Sequence, residues 1–183
     1  MSLSSHRIAV TDACIFIDLI ELQIVTPFFQ LGDTPLQLEI HTTLEVLDEL
    51  YPEQQEILKA YEAVSILRVH TISAEDLENI RSMTFPKALS QQDKTVIYMA
   101  SQLNAMVLSS DKPVRKFANK IAIEVHGMFW IFDKLVEYEL LTKEMAVARI
   151  RQLMRSNLIY QNNMKLWQEA NKRIKGWEKD QAQ

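Results

Sequence analysis

Asp12, Glu49, Asp93 and Asp111 are the side chains of this 183-residue chain whose types and settings point to chemistry. Asp12 directly follows a short apolar run, Ile8-Ala9-Val10, and precedes apolar positions from Ile15 to Leu22 that recur at helical spacing. Asp111 directly follows a second apolar run, Ala105 to Leu108, and Asp93 lies in the first turn expected for the helix leading into that run. Glu49 falls near the end of a short helix expected after the run containing Ile40. Carboxylates gathered without matching cations repel one another and hold protons more tightly, so such a cluster persists mainly around a bound cation. Mg²⁺ or Mn²⁺ suits oxygen donors, and Mg²⁺ usually takes one or two carboxylates while keeping waters and substrate phosphates. One ion, or two about 3.5–4 Å apart, would activate a bound water and stabilise the leaving oxygen of an in-line displacement.

Each acid also has an ordinary reading. Asp12 fits a turn, Asp93 a helix N-terminus stabilised by the macrodipole, and Asp111 an N-cap; their joint placement at strand ends and helix starts is what argues for a site. Glu45, one helical turn from Glu49, and the adjacent Asp48 compete for the second position, and Glu49 is preferred. Asp18 and Glu21 read as solvated helix positions. His6, His41, His70 and His126 are scattered without ligand spacing, which speaks against histidine–zinc chemistry. Cys14 reads as a small buried residue rather than a nucleophile.

The elements that must position these acids follow from apolar runs and breakers. Strands are expected over Ile8–Val10, Leu38–Thr43, Ile66–Ile72, Ala105–Leu108 and Ile121–Val125. Helices are expected over Ile15–Leu22, Leu44 to about Leu50, Glu53–Val64, from Ser73 as a capped start, from Ser90 as N-cap, and over Lys112–Lys120 with Pro113 just inside the start. From Met128 onward the pattern is helical, with Glu178–Gln183 expected to fray. Short, fully apolar strands alternating with helices imply an α/β fold with a mostly parallel central sheet covered on both faces, and ligands of such sheets bind at the strand carboxyl ends. The expected division is an α/β domain over 1–133 and a helical C-terminal extension, 134–183, packed on or beside it.

Hydrophobic residues at 48% and charged residues at 24% exclude a disordered chain. A single cysteine excludes an intrachain disulfide and fits a reducing cytoplasm. Asp12 and Asp18 interrupt the apolar N-terminal stretch, which excludes a signal core or membrane span there. The net charge of −4 is unevenly spread: residues 1–142 hold 11 Lys+Arg against 20 Asp+Glu, net −9, and residues 143–183 hold 9 against 4, net +5. A basic tail on an acidic body suits a polyanion or acidic partner as well as a solvated helix surface.

These segments resemble the PIN-domain family, in particular its toxin-like bacterial and archaeal branch with extra C-terminal helices. Ile8–Ile20 (IAVTDACIFIDLI) looks like the family's first strand with its leading Asp, and Ile40–Leu50 (IHTTLEVLDEL) like the segment ending in Glu-Leu. Leu89–Ala100 (LSQQDKTVIYMA) resembles the helix of the third acid, and Ala105–Ala118 (AMVLSSDKPVRKFA) the strand, hydroxyl residue, fourth Asp and following helix. The resemblance implies a PIN-like three-layer α/β/α fold and metal-dependent endoribonuclease activity on single-stranded RNA, with the four acids as catalytic metal ligands and Ser109 in support. It also implies a homodimer. Independently of it, Lys112, Arg115, Lys116 and Lys120 follow the fourth acid on one expected helix and suit RNA phosphates beside the metal, against the ordinary reading of a solvated helix face, which weighs more for Lys120 than for Arg115. Ala13-Cys14 departs from the family pattern, in which hydroxyl or amide residues follow the first Asp, so weaker hydrogen bonding to Asp12 is expected.

The leading expectation is therefore an RNA endonuclease, the toxin of a toxin–antitoxin module held in check by a small antitoxin protein. The competing class is a catalytically silent RNA-binding or protein-interaction module on the same fold. A phosphoacceptor signalling domain would need a Lys after a late strand, where this chain has His126-Gly127.

Overall fold

Strands that are apolar at every position have no face to give to solvent and must be covered on both sides. The computed structural model describes residues 7–181. Five strands, β1 (Arg7–Thr11), β2 (Leu38–Thr43), β3 (Leu67–His70), β4 (Met106–Leu108) and β5 (Val125–His126), form one sheet. Its order is β3-β2-β1-β4-β5 and every pairing is parallel. Helices α1 (Ala13–Glu21) and α2 (Val25–Phe29) lead to β2, and α3 (Leu44–Leu47) and α4 (Pro52–Ala63) lead to β3. The chain then returns through α5 (Ala74–Ser82) and α6 (Gln91–Gln102) to lay β4 on the free side of β1, and α7 (Lys112–Lys120) leads to β5. Four further helices, α8 (Met128–Glu137), α9 (Lys143–Ser156), α10 (Leu158–Gln161) and α11 (Met164–Gln181), complete the described chain. This is the expected PIN-like α/β/α architecture with a helical C-terminal region.

The strand order reverses between β1 and β4, and that reversal decides where a ligand can enter. Thr11 lies opposite Leu108, and the Asp12 N–H donates to the Leu108 carbonyl at 3.0 Å. The segments leaving these two strands therefore start side by side.

Local chemistry explains most boundaries. Ser73 with Asp76 and Ser90 with Asp93 close reciprocal capping boxes at the starts of α5 and α6. Pro113 occupies the first turn of α7, where its missing N–H costs nothing. Two expectations are corrected. The fifth strand is Val125–His126 rather than Ile121–Val125, because Ile121 to Ile123 close α7: Ala122 has φ 59° and the Ile123 N–H bonds the Ala118 carbonyl at 2.9 Å. The helix after β2 ends at Leu47, and Asp48 to Leu50 form a turn. Helix α11 runs through Gln181, while 182–183, the end of the stretch expected to fray, and His6 lie outside the described residues.

The C-terminal helices are joined to the sheet by a common core. Phe132 of α8 is fully buried, as are Ala146 and Ile150 of α9. Arg173 of α11 makes a two-pronged pair with Asp133 of α8 at 2.7 and 2.8 Å and covers the Phe129 ring. Among the described residues no helix is long and apolar enough to cross a membrane. Phe132→Ala removes a ring from this junction and is expected to destabilise the chain by about 3–5 kcal/mol, read from urea unfolding midpoints.

Candidate functional site

Asp12 is the residue at which β1 becomes α1, and it is 6% exposed. Ser109, fully buried at the end of β4, donates its hydroxyl to Asp12 Oδ2 at 2.6 Å and accepts the Asp111 N–H at 3.1 Å. One hydroxyl thus fixes the first acid and the backbone of the fourth. The Cys14 thiol donates to Asp12 Oδ2 at 3.3 Å and accepts the Ser110 N–H at 3.2 Å. The bond that position 14 supplies to Asp12 is thus one from a thiol, a weak donor, which also bridges Asp12 and the β4–α7 loop.

Asp93 reaches the same edge on α6, which packs on β1, β2 and β4. Its Oδ2 accepts the Ser90 N–H at 2.7 Å, so the helix-capping reading also holds for this residue. Two residues on, the Thr95 hydroxyl pairs with Thr43 at 2.9 Å and ties the first turn of α6 to the end of β2. Glu49 lies in the exposed turn after α3. Of its competitors, Asp48 is exposed and Glu45 holds one carboxylate oxygen buried without a hydrogen-bond partner.

Electrostatics link the four acids through Asp93. Burial raises the pKa of Asp12 above the usual carboxylate range, the Ser109 and Cys14 bonds oppose the rise, and the Asp93 charge adds to it. Burial also raises Glu49, followed by the charges of Asp12 and Asp93. Asp111 is raised by burial and by Asp93, against the N–H groups of Lys112 and Val114. None of the four forms an ion pair among the described residues. Hard oxygen donors with uncompensated charge are the donor chemistry that a divalent cation such as Mg²⁺ satisfies. Among the described residues no three acid, His or Cys side chains close on one point, so an ion here would rely on water for much of its coordination.

The expected phosphate-binding residues are divided by α7. Arg115 NH1 donates to the Ser109 carbonyl at 3.0 Å and lies in a cleft of about 270 Å³ with His126, Trp130 and Tyr160. Gly127 leaves room for it, since a Cβ there would come within 3.0 Å of Arg115 NH1. Lys112 and Lys116 line a separate groove with Pro86 and Ala88. The histidines are less scattered than their spacing suggests: His41 and His70 meet across β2 and β3 with ring nitrogens 2.9 Å apart. Burial lowers both pKa values, opposed at His41 by the Glu39 carboxylate.

Two residues of the C-terminal helices reach this edge, and their spacing gives no sign of it. The Tyr160 hydroxyl pairs with Ser110 Oγ at 2.9 Å, and Asn157 Nδ2 donates to Asp18 Oδ1 at 2.9 Å. Asp18 is 2% exposed, so the reading as a solvated helix position is corrected; the α9–α10 corner covers it. Burial, less the Asn157 bond and with a contribution from Glu21, pushes the Asp18 pKa up to about 7. The folded state therefore holds a proton that the unfolded chain releases near 3.8, and stability falls as pH rises from about 3.8 to about 7. Asp18→Asn is expected to gain stability relative to the parent across that window, and urea midpoints at its two ends measure the change. An equal difference at both ends would contradict it.

A family model described as PIN domain matches residues 8–175. Among solved structures, a PilT N-terminus domain protein from the hyperthermophilic archaeon Sulfolobus solfataricus P2 is 16% identical, aligned over 71% of this chain and 94% of its own, with a TM-score of 0.44. No curated protein sequence matches the chain. With the family model running from the first strand into the last helix, this chain belongs to the PIN-domain family, whose members are usually nucleases.

Proposed function

We propose that this chain is a metal-dependent endoribonuclease that hydrolyses phosphodiester bonds in single-stranded RNA. The observation that carries the reading is that Ser109 joins Asp12 to the backbone of Asp111 at the strand edge against which α6, the helix bearing Asp93, packs, while among the described residues no protein cation pairs with Asp12, Glu49, Asp93 or Asp111. In this reading Asp12, Glu49, Asp93 and Asp111 hold Mg²⁺ or Mn²⁺. The bound ion supplies a water of lowered pKa and charge stabilisation at the leaving oxygen. Ser109 and Cys14 hold Asp12 in place through its Oδ2. Arg115 on one side of α7, with Lys112 and Lys116 on the other, holds phosphates that flank Asp111, which makes RNA retention weaken with salt. A cytoplasmic toxin restrained by a small antitoxin protein, and a homodimeric state, fit the same reading.

The second reading, a silent module on the same fold, draws on Cys14, a thiol where the family pattern has a hydroxyl or amide residue. The two readings separate in one assay. Mn²⁺-dependent cleavage of mixed single-stranded RNAs is expected, with EDTA and Asp93→Asn each lowering the rate at least about a hundredfold. The Asn side chain keeps an oxygen for the Ser90 cap, so loss of rate is not loss of the helix start. Ser109→Ala is expected to raise the Mn²⁺ concentration needed for half-maximal rate by about 10–100-fold, the scale of losing an orienting hydrogen bond to a ligand. Cleavage that survives EDTA would overturn the metal-dependent reading. Absence of both cleavage and calorimetric metal binding would leave the silent module.

A further inference from the structure

Helix α7 carries Lys112, Lys116 and Lys120 on one face, at steps of about 6 Å along its axis. None of the three has an ion pair among the described residues, although the chain as a whole is acidic. The lysines rim a groove of about 510 Å³ whose other lining residues are Pro86, Ala88, Pro113 and Phe117. The floor is apolar, and among the described residues no acid or hydrogen-bonding side chain other than the lysines lines it.

We infer that this groove docks an acidic amphipathic helix of a partner protein. Acidic side chains repeating every four residues would match the lysine steps, and an apolar stripe between them would fill the floor, the helix-in-groove mode of recognition. Nucleic acid fits less well. Phe117 is 6% exposed and its ring packs on Phe85 at 5.2 Å, so no open aromatic face is offered to a base, and the floor has no polar group to meet a base edge. A second copy also fits less well. The acidic helix α4, with exposed Ile57 and with exposed Tyr51 at its N-cap, lies against β3 at the opposite edge of the sheet from α7 and β5, and such a head-to-tail contact does not close a pair.

The groove walls give docking a consequence. Lys112 follows Asp111, and Pro86–Ala88 lead into Ser90, which caps the helix bearing Asp93. A partner seated there competes with RNA for Lys112 and Lys116. Docking stands without the nuclease reading, whereas competition rests on it.

The test uses fluorescence anisotropy of the full-length protein in EDTA, so that neither metal nor cleavage enters. The probes are a labelled amphipathic peptide with Leu at helical spacing and Glu elsewhere, its Lys-for-Glu counterpart, and oligouridylate. The acidic peptide is expected to bind and the basic one to fail. The double variant Lys116→Glu/Lys120→Glu, and separately Ala88→Trp, which fills the floor from an exposed position, are each expected to weaken the acidic peptide at least about tenfold, roughly 1.4 kcal/mol. Ala88→Trp is expected to leave oligouridylate affinity unchanged. Failure of the acidic peptide to bind the parent, or equal binding to the variants, overturns the inference. Displacement of oligouridylate by Ala88→Trp overturns it in favour of an RNA track, and concentration-dependent self-association abolished by Ala88→Trp overturns it in favour of a second copy. Absence of nuclease activity leaves the docking result standing.

Discussion

Parallel pairing of β1 with β4 is the constraint from which the acid cluster follows. Parallel strands cannot be joined by a tight turn, so β4 arrives beside β1 only after the chain has built β2 and β3 and crossed back. With Thr11 opposite Leu108, the next residues on both strands emerge at one level, and the Asp12 N–H bond to the Leu108 carbonyl locks that level. A slip of one residue would turn Asp12 and Ser109 to opposite faces and leave a buried carboxylate without its hydroxyl partner.

Holding carboxylates together at this edge is unfavourable in the absence of a cation, and the structure offsets the strain in pieces. Ser109 and Cys14 both donate to Asp12, and Asp93 spends one oxygen on the Ser90 N–H. At Asp12 the two bonds lower the energy of a charged form that burial raises. Among the described residues no Arg or Lys completes the offset: Arg115, which packs against the β4–α7 loop, donates to a backbone carbonyl rather than a carboxylate. A basic residue pairing directly with these acids would compete with a divalent ion for the same oxygens, so its placement one step away keeps the edge receptive.

The C-terminal helices are structurally part of this edge. Tyr160 grips Ser110, whose N–H rests on the Cys14 thiol, and Asn157 both caps α10 through its carbonyl oxygen and reaches Asp18 through its amide. The buried Tyr160 hydroxyl has its pKa raised by burial, so it meets Ser110 as a neutral group. Movement of the α9–α10 corner would therefore be felt at the residues on either side of Asp12 and Asp111.

By itself the sequence determined what local physics controls. The apolar runs Ile8–Val10 and Ala105–Leu108 marked buried parallel strands, Ser73 and Ser90 with an acid three residues on marked helix starts, and Asp12 and Asp111 stood where strands give way to helices. The end of α7 is hidden from composition because Ile121 and Ile123 look like strand residues, while Ala122 takes a left-handed conformation that composition does not signal. What only the tertiary structure decided depends on contacts between residues far apart in the chain. Asp18 has the spacing of a surface acid until Asn157 covers it, Cys14 resembles an apolar core residue until Ser110 donates to it, and His41 meets His70 only across β2 and β3. Arg115 and Lys116 are neighbours in sequence yet face different clefts, because adjacent positions on a helix point about 100° apart. Burial and partnership depend on what packs over a residue, and the covering groups come from chain segments that no local pattern connects.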